Sequence, residues 1–212
     1  TWTLVGLEVP EPLLTPAALA AELTNEAGAD DRTLLMKNGM GLWVLQQCNE
    51  GWKLDYADLY ARAAEVASGP RIDPEDARFA APGADMPLRV QAYCRETGQT
   101  PPQTPFELTR CLLDSLAFEA ARSLTLLERV SGRTVQTVHL VGGGSRISLL
   151  GQLIADASGR RVIAGPVEAT LIGNLLIQAQ TLGHLRPGER RGVVRRSAPL
   201  HTFMPLGAAA HA

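Results

Sequence analysis

The stretch His-Leu-Val-Gly-Gly-Gly-Ser-Arg, residues 139–146, decides the fold, because a β-rich run stops there at three glycines and a helical pattern follows at once. Residues 135–141 fill with β-branched and apolar side chains, as a buried strand does, and apolar residues then recur at helical spacing from 149 to 157. Ser145 is placed to cap the helix. Bare glycine backbone and the free N–H groups of a helix N-terminus predict a turn that accepts a nucleotide.

The glycine turn lacks the commonest phosphate-binding signatures. The third glycine of the dinucleotide fingerprint is missing, because Ile147 takes its place, and no glycine loop in the chain ends in Lys-Ser or Lys-Thr. Ile147 also replaces the closing glycine of a nucleophile elbow, which disfavours a serine hydrolase. On the residues alone, the turn fits either a phosphate-bearing ligand or a tight turn with close helix packing.

Hydrophobic periodicity predicts the other elements of the chain. Four residues mark the ends of one long helix. Thr104 is the predicted N-cap, Pro105 takes the first helical position, and Glu107 closes a capping box with Thr104. Gly132 is predicted to end the helix. The pattern also predicts strands over 1–9 and 161–164, and helices over 17–25, 39–52, 56–67, 86–96 and 167–182. The alternation of strands and helices predicts a mainly parallel sheet covered by helices, with ligands at the carboxyl ends of its strands.

Composition and charge narrow the class of protein. A chain of 212 residues that is 45% hydrophobic can build one sizeable core. Without a long apolar run or a signal-type N-terminus, we expect a cytoplasmic protein with no membrane partner. Residues 1–87 hold 14 acids and 6 bases (net −8), whereas residues 88–212 hold 8 acids and 14 bases (net +6). The arginines near the C-terminus have no aromatic residues interleaved with them and no nucleic-acid motif beside them, so we expect no nucleic-acid partner.

Metal and thiol chemistry are not indicated. The cysteines Cys48, Cys94 and Cys111 are odd in number and far apart, which predicts buried reduced thiols. The four histidines show no metal-binding spacing, and His139 within its strand is expected to be a core residue. Acids such as those in residues 73–76 sit in loop-like sequence, where solvated charge is the default. We therefore assign no protein metal ligand.

Several separated motifs carry a resemblance to a known family. Taken together and in this order, they resemble the C-terminal half of the FGGY carbohydrate kinase family, and residues 37–43 point to its rhamnulokinase branch. The stretches are Thr-Trp-Thr-Leu-Val-Gly (1–6), Lys-Asn-Gly-Met-Gly-Leu-Trp (37–43), Cys-Arg-Glu-Thr-Gly-Gln (94–99), Val-Gly-Gly-Gly-Ser (141–145) and Ala-Gly-Pro-Val-Glu-Ala (164–169). The resemblance spans nearly the whole chain.

The resemblance implies an α/β fold, a ribonuclease H-like (actin-like ATPase) domain with a mixed sheet flanked by helices. It places a nucleotide-side domain over residues 1–185 and an arm or tail over 186–212, and it implies an N-terminal sugar-kinase domain that these residues lack. In the family that partner domain supplies the general base and most sugar contacts. We therefore assign no catalytic residue and expect the chain alone to be inactive.

The resemblance also assigns individual residues. Thr1, Gln46 and Gly144 match ATP-binding positions, for the terminal phosphates, the nucleotide side and the adenosine part respectively. Asn38 matches a sugar-contacting asparagine, although the sequence alone would make it an N-cap or an Asn-Gly turn. On one helix, Asn38 and Gln46 would lie roughly 12 Å apart. Ile147 replaces an amide that is common in relatives, which puts polar contacts to adenine or ribose in doubt.

The implied activity is ATP-dependent phosphorylation of L-rhamnulose at its 1-hydroxyl, with Mg²⁺ carried by ATP rather than by protein ligands. Another ketose or polyol kinase of the xylulose, fuculose or glycerol type is the nearest alternative. The alternative that is not an enzyme is a non-catalytic fragment that binds a nucleotide.

Overall fold

The computed structural model describes residues 2–207, which form two compact units. The first unit comprises residues 2–28 and 32–133, and the second comprises residues 29–31 and 134–207. Each unit contains one three-stranded sheet with helices.

The sheet of the first unit is antiparallel, in the order β1-β3-β2. Its strands are β1 (Trp2–Val9), β2 (Thr24–Ala27) and β3 (Thr33–Met40), and the helices of this unit are α1 (Pro16–Ala20), α2 (Trp43–Trp52), α3 (Tyr56–Glu65), α4 (Met86–Glu96) and α5 (Pro105–Ser131). The register sets Thr3 opposite Gly39 and Val5 opposite Lys37. A short 3-10 turn over Ala77–Phe79 interrupts the loop between α3 and α4.

Two clusters of buried side chains hold the first unit together. The larger cluster brings α2, α4 and α5 around Phe79, which is fully buried, and the partly buried Trp43 and Trp52 pack against it. The smaller cluster joins Leu127 of α5 to Val9 and Leu35 of the sheet. The apolar stripe predicted for α5 is therefore the side of that helix that forms the core.

The two ends of α5 are as predicted from the sequence. The Thr104 hydroxyl accepts a hydrogen bond from the Glu107 N–H at 3.2 Å, and the Glu107 carboxylate accepts one from the Thr104 N–H at 3.1 Å. The helix ends before Gly132, which adopts a left-handed φ of 68° and donates to the Glu128 carbonyl. These signals are local, so the sequence alone was sufficient to place them.

Removing the cap should measurably destabilise the first unit. We expect Thr104→Ala to lower the free energy of unfolding by about 1 kcal/mol, because the Glu107 N–H loses its acceptor. Urea denaturation followed by tryptophan fluorescence measures the change. Thr104→Ser keeps the acceptor and is expected to stay close to the parent; equal losses in both variants would contradict the role of the hydroxyl.

The second unit has a mixed sheet in the order β4-β5-β6. Strand β4 (Thr137–Leu140) runs parallel to β5 (Arg161–Ala164), and β6 (His201–Phe203) runs antiparallel to β5. Its helices are α6 (Ser148–Ser158), α7 (Ala169–Thr181) and α8 (Arg190–Ser197). The Phe203 ring lies against Gly151 of α6, where an added Cβ would approach it to 2.5 Å. The β6 strand and α6 thus close the core of this unit around β5.

Several predicted elements were wrong. The sheets are not mainly parallel: among the strands described, the β4–β5 pair alone is parallel. The helix predicted over 17–25 stops at Ala20 and gives way to β2, and the helix predicted from residue 39 begins at Trp43 because β3 continues to Met40. The region predicted as an arm contains α8 and β6 within residues 190–203.

Candidate functional site

The glycine turn follows β4 in the second unit. Gly142 adopts a left-handed φ of 75°, and residues 143–146 form a 3-10 turn that leads to α6. The Ser145 hydroxyl donates to the Gly142 carbonyl at 2.7 Å, and the Ser145 N–H donates to the same oxygen at 3.0 Å. The prediction that Ser145 caps α6 was wrong, because Ile147 occupies the N-cap and makes no side-chain cap. Ser145 instead closes the turn itself.

Two of the three glycines are not required by the fold. Gly143 and Gly144 have no positive φ. A Cβ added at Gly143 would meet nothing within 4 Å, and one added at Gly144 would touch Leu140 and Leu150 at 3.7 Å, which is ordinary contact. Side chains would therefore fit at both positions in the free protein. Their absence leaves bare backbone for a close approach by another molecule.

The turn after β5 lies directly beside the glycine turn. The Gly165 N–H donates to the Leu140 carbonyl at 2.8 Å, and the Gly142 N–H donates to the Pro166 carbonyl at 3.4 Å. Because β4 and β5 are parallel, their carboxyl ends meet at one edge of the sheet. In open α/β sheets, ligands bind at this edge of the sheet.

Ile147, which follows the glycine turn, is a core residue. Its side chain is 3% exposed, in the same unit as the buried Leu150, Ile154 and Val162. A side chain so deeply buried has little surface to offer a ligand. The doubt about polar contacts to adenine or ribose, which the resemblance implied at this position, stays a prediction.

Mutation can distinguish the conformational requirement at Gly142 from that at its neighbour Gly143. We expect Gly142→Ala to lower the stability of the second unit by about 1–2 kcal/mol, because an L-residue is strained at a φ of 75°. Gly143→Ala is the matched control, with an expected change within about 0.5 kcal/mol. Thermal denaturation of both variants measures the difference. Equal melting temperatures would show that the turn does not need the glycine conformation.

The Asn38 residue lies on β3 of the first unit, opposite Leu4 of β1. It is exposed, and its side chain makes no hydrogen bond to any other residue that the structure describes. The expectation of an N-cap or an Asn-Gly turn was wrong, because residues 37–40 continue the strand. Its amide is therefore available to bind another molecule.

Gln46 lies in a different element from Asn38. It is half-buried in the first two turns of α2, and its N–H donates to the Leu42 carbonyl at 2.9 Å. The hypothesis that one helix lines both a sugar and a nucleotide was wrong, because Asn38 lies on a strand and only Gln46 on a helix. Thr1, the third residue predicted on the nucleotide side, falls outside the described residues.

The histidine and cysteine predictions had different outcomes. His139 is exposed rather than a core residue, and its pKa is lowered by partial burial and by the positive charges of Arg191 and Arg161. Cys48, like the other two cysteines, is a buried free thiol, as predicted. Burial raises the pKa of Cys48 to about 12, so the thiolate that would react is strongly disfavoured.

Sequence patterns gave no indication of a pocket in the first unit. Glu75, expected to be a solvated loop acid, accepts a hydrogen bond from the Met40 N–H and lines this pocket together with Glu119 and Ser123 of α5. Glu75 is 44 positions before Glu119 in the sequence, so the pairing of these acids is not visible locally.

Neither a metal centre nor a membrane span occurs in the part of the chain that the structure describes. Residues 2–207 contain no group of three or more histidine, cysteine, aspartate or glutamate side chains that could hold a metal ion. Their helices are all too short or too polar to cross a bilayer.

The fold defines the class of protein. Xylulose kinase from Rhodospirillum rubrum is similar over 98% of this chain and 41% of its own, with a TM-score of 0.66 at 18% identity. Glycerol kinase from Plasmodium falciparum, solved with ADP, is similar over 97% of this chain and 41% of its own, with a TM-score of 0.67 at 12% identity. The chain has the actin-like ATPase fold of these sugar kinases.

The sequence comparisons show the family. The model of the FGGY family of carbohydrate kinases, C-terminal domain, matches residues 1–182, and the chain belongs to this family. It is 40% identical over 213 residues to a rhamnulokinase from Bacteroides thetaiotaomicron and 44% identical over 210 residues to one from Klebsiella pneumoniae. These matches cover 99% and 97% of the chain but only 44% and 42% of the two relatives.

Proposed function

We propose that this chain is the nucleotide-side domain of a longer kinase that transfers the terminal phosphoryl group of ATP to the 1-hydroxyl of L-rhamnulose. The identity of 40% and 44% to two rhamnulokinases, over nearly the whole chain, carries this proposal. Sugar kinases of other named specificities share only 12–18% identity at the same fold. The preferred sugar is therefore inferred from sequence rather than from fold.

The proposed roles of the residues follow their positions in each unit. Gly144 would lie against the adenosine part of ATP, which is supported by its bare backbone beside the carboxyl end of β4. Asn38 would bind the sugar, which is supported by its exposed and unbonded amide. Gln46 and Thr1 would contact the nucleotide, the latter at the terminal phosphates. These four assignments are proposals for mutagenesis.

Magnesium would reach the site with ATP. Phosphoryl transfer needs the charge of the phosphates neutralised and the hydroxyl aligned with the leaving group. The described residues contain no group of side chains that could hold a metal ion, so the phosphate oxygens of ATP would be the ligands that hold Mg²⁺. The buried reduced thiols fit a cytoplasmic location.

The remainder of the longer protein would complete the cleft. The chain spans 42–44% of the length of the relatives, so more than half of such an enzyme lies elsewhere. That part would supply the general base that takes the proton of the sugar hydroxyl, because we assign no such base within residues 1–212. Half of a cleft can bind a nucleotide but cannot align both substrates.

A sugar panel with the complete protein tests the proposal. With ATP and Mg²⁺, we expect L-rhamnulose to give the highest kcat/KM among L-rhamnulose, xylulose, fuculose and glycerol, and the purified 212-residue chain to give no turnover. A preference for another sugar would reassign the specificity within the family. If the complete protein phosphorylates none of the four, the kinase proposal is wrong and the alternative of a non-catalytic nucleotide-binding fragment is favoured. Turnover by the chain alone would show that the base lies within it.

A further inference from the structure

The carboxylate of Glu75 is bound to the end of strand β3. Glu75 lies in the loop between α3 and α4, and its carboxylate accepts a hydrogen bond from the N–H of Met40, the last residue of β3. Strand β2 pairs with β3 only over residues 33–36, so residues 37–40 have β1 on one side and no strand of the described residues on the other. The Glu75 carboxylate therefore satisfies a backbone donor that β2 does not reach.

Gly39 leaves room for this carboxylate. Its backbone belongs to the strand and has no positive φ, so the conformation itself does not require a glycine. A Cβ added at Gly39 would lie 3.2 Å from the Glu75 Oε1 atom, which is closer than ordinary contact, and 4.0 Å from the Thr3 carbonyl oxygen. The atom that a side chain would crowd here is thus the same oxygen that holds the Met40 N–H.

The loop that carries Glu75 is anchored on the buried side of α5. The Ile72 N–H donates to the Ser115 hydroxyl at 2.9 Å, and the Ser68 hydroxyl donates to the Asp114 carboxylate at 3.1 Å. Ile72, Ser115 and Asp114 are all buried. Buried polar groups that are paired in this way hold a segment in one conformation, so Glu75 extends from a fixed support three residues after Ile72.

The position of Asn38 depends on the backbone of β3. Asn38 lies two residues before Met40, and its exposed side chain makes no hydrogen bond to any other residue that the structure describes. No hydrogen bond therefore fixes the Asn38 amide itself, whereas the bond between Glu75 and Met40 fixes the main chain beside it.

We propose that Glu75 is a positioning residue for sugar binding: its carboxylate holds the end of β3, and so sets where the Asn38 amide meets the substrate. The inference rests on the proposed function, in which Asn38 contacts the sugar. Glu75 acts through Met40 and does not itself touch the substrate in this role. Because the bond needs only an acceptor oxygen, the amide of a glutamine can replace the carboxylate, whereas the methyl group of an alanine cannot.

Steady-state kinetics of the complete protein test this role, with ATP and the sugar that it phosphorylates best. We expect Glu75→Ala to raise the KM for the sugar by about fivefold or more, with kcat and the KM for ATP within about twofold of the parent. Glu75→Gln keeps an acceptor and should stay within about twofold of the parent in all three constants. A variant that merely folds less well would instead lower kcat through a smaller active fraction and leave both KM values unchanged.

Glu11→Ala is the matched control. Glu11 is an exposed loop glutamate of the same unit, and it makes no hydrogen bond to any other residue within the described range 2–207. Its removal should leave kcat and both KM values unchanged. A rise in the KM for the sugar in this variant as large as in Glu75→Ala would show a general effect of lost negative charge and would overturn the proposal.

Hydrogen–deuterium exchange at the Met40 amide measures the bond separately from its effect on the sugar. We expect exchange about tenfold faster or more in Glu75→Ala than in the parent, and close to the parent rate in Glu75→Gln. Faster exchange together with an unchanged KM for the sugar would show that the bond exists but does not position Asn38, which overturns the proposal.

Three further results would also overturn the positioning role. One is an unchanged Met40 exchange rate in Glu75→Ala, and another is a KM for ATP that rises as much as the KM for the sugar. The third is a Glu75→Gln variant as impaired as Glu75→Ala. If the complete parent phosphorylates no sugar, the proposed function fails and the positioning role fails with it, whereas an active parent with a normal Glu75→Ala variant removes the positioning role alone.

Discussion

Gly144→Val is expected to weaken ATP binding to the chain by at least about tenfold, or to remove it, while the fold stays intact. The proposal sets the adenosine part of ATP against the bare backbone of residue 144, where a branched side chain would occupy the ligand's space. In the free protein the same position tolerates a Cβ, which would meet Leu140 and Leu150 only at 3.7 Å. Isothermal titration calorimetry with ATP, in which we expect weak binding to the parent chain, measures the loss.

The matched control is Gly173→Val in α7. It introduces the same side chain in the same unit, and an added Cβ there meets nothing within 4 Å. We expect ATP affinity close to that of the parent, with melting temperatures of both variants within a few degrees of it. Unchanged affinity in Gly144→Val would remove the glycine turn from the nucleotide site. Equal losses in both variants would show a general effect of valine on the unit.

Features encoded by neighbouring residues were predictable from the sequence. Thr104, Glu107 and Gly132 bracket α5 through hydrogen bonds that span only a few positions, so their spacing was sufficient. The turn after β4 likewise follows from three adjacent glycines between a strand and a helix. Local backbone chemistry determines both, and no distant contact competes with it.

The β3 strand was missed because distant pairing outweighs local preference. Its residues Leu34, Leu35 and Met36 favour helices, and Asn38-Gly39 favours a turn. Yet β3 pairs with β1 along eight residues on one side and with β2 on the other. Strand preference depends strongly on such neighbours, which a single sequence does not reveal. The error carried over to the site, since it joined Asn38 and Gln46 on one helix.

The pocket between the sheet and α5 of the first unit could not have been predicted for the same reason. Its walls come from β1, β3, the loop at Glu75 and α5, which are remote in sequence and meet only in the folded unit. Glu119 and Ser123 occur on a stripe that otherwise packs the core, where periodicity treats polar residues as exceptions.

The core of the first unit should depend most on Phe79. Phe79→Ala is expected to lower the free energy of unfolding by about 3–5 kcal/mol, because the fully buried ring would leave a cavity between α2, α4 and α5. The Trp43 indole N–H donates to the backbone carbonyl of Phe79 at 3.2 Å, a bond that the substitution leaves in place, so Trp43 stays beside the cavity and reports on it. Urea denaturation followed by the fluorescence of Trp43 and Trp52, both packed against this cluster, measures the change.

Phe118→Ala on α5 provides the matched control, because the same ring is removed from a position that is 43% exposed. That ring stacks under the Arg71 guanidinium at 4.3 Å, a contact worth about 0.5–1 kcal/mol at an exposed site, so we expect a loss of roughly 1 kcal/mol. The difference between the two variants isolates burial from the loss of an aromatic ring. Comparable losses at 79 and 118 would mean that the cluster around Phe79 relaxes into the cavity, and that the stability of this unit resides in the sheet and its Leu127 contact instead.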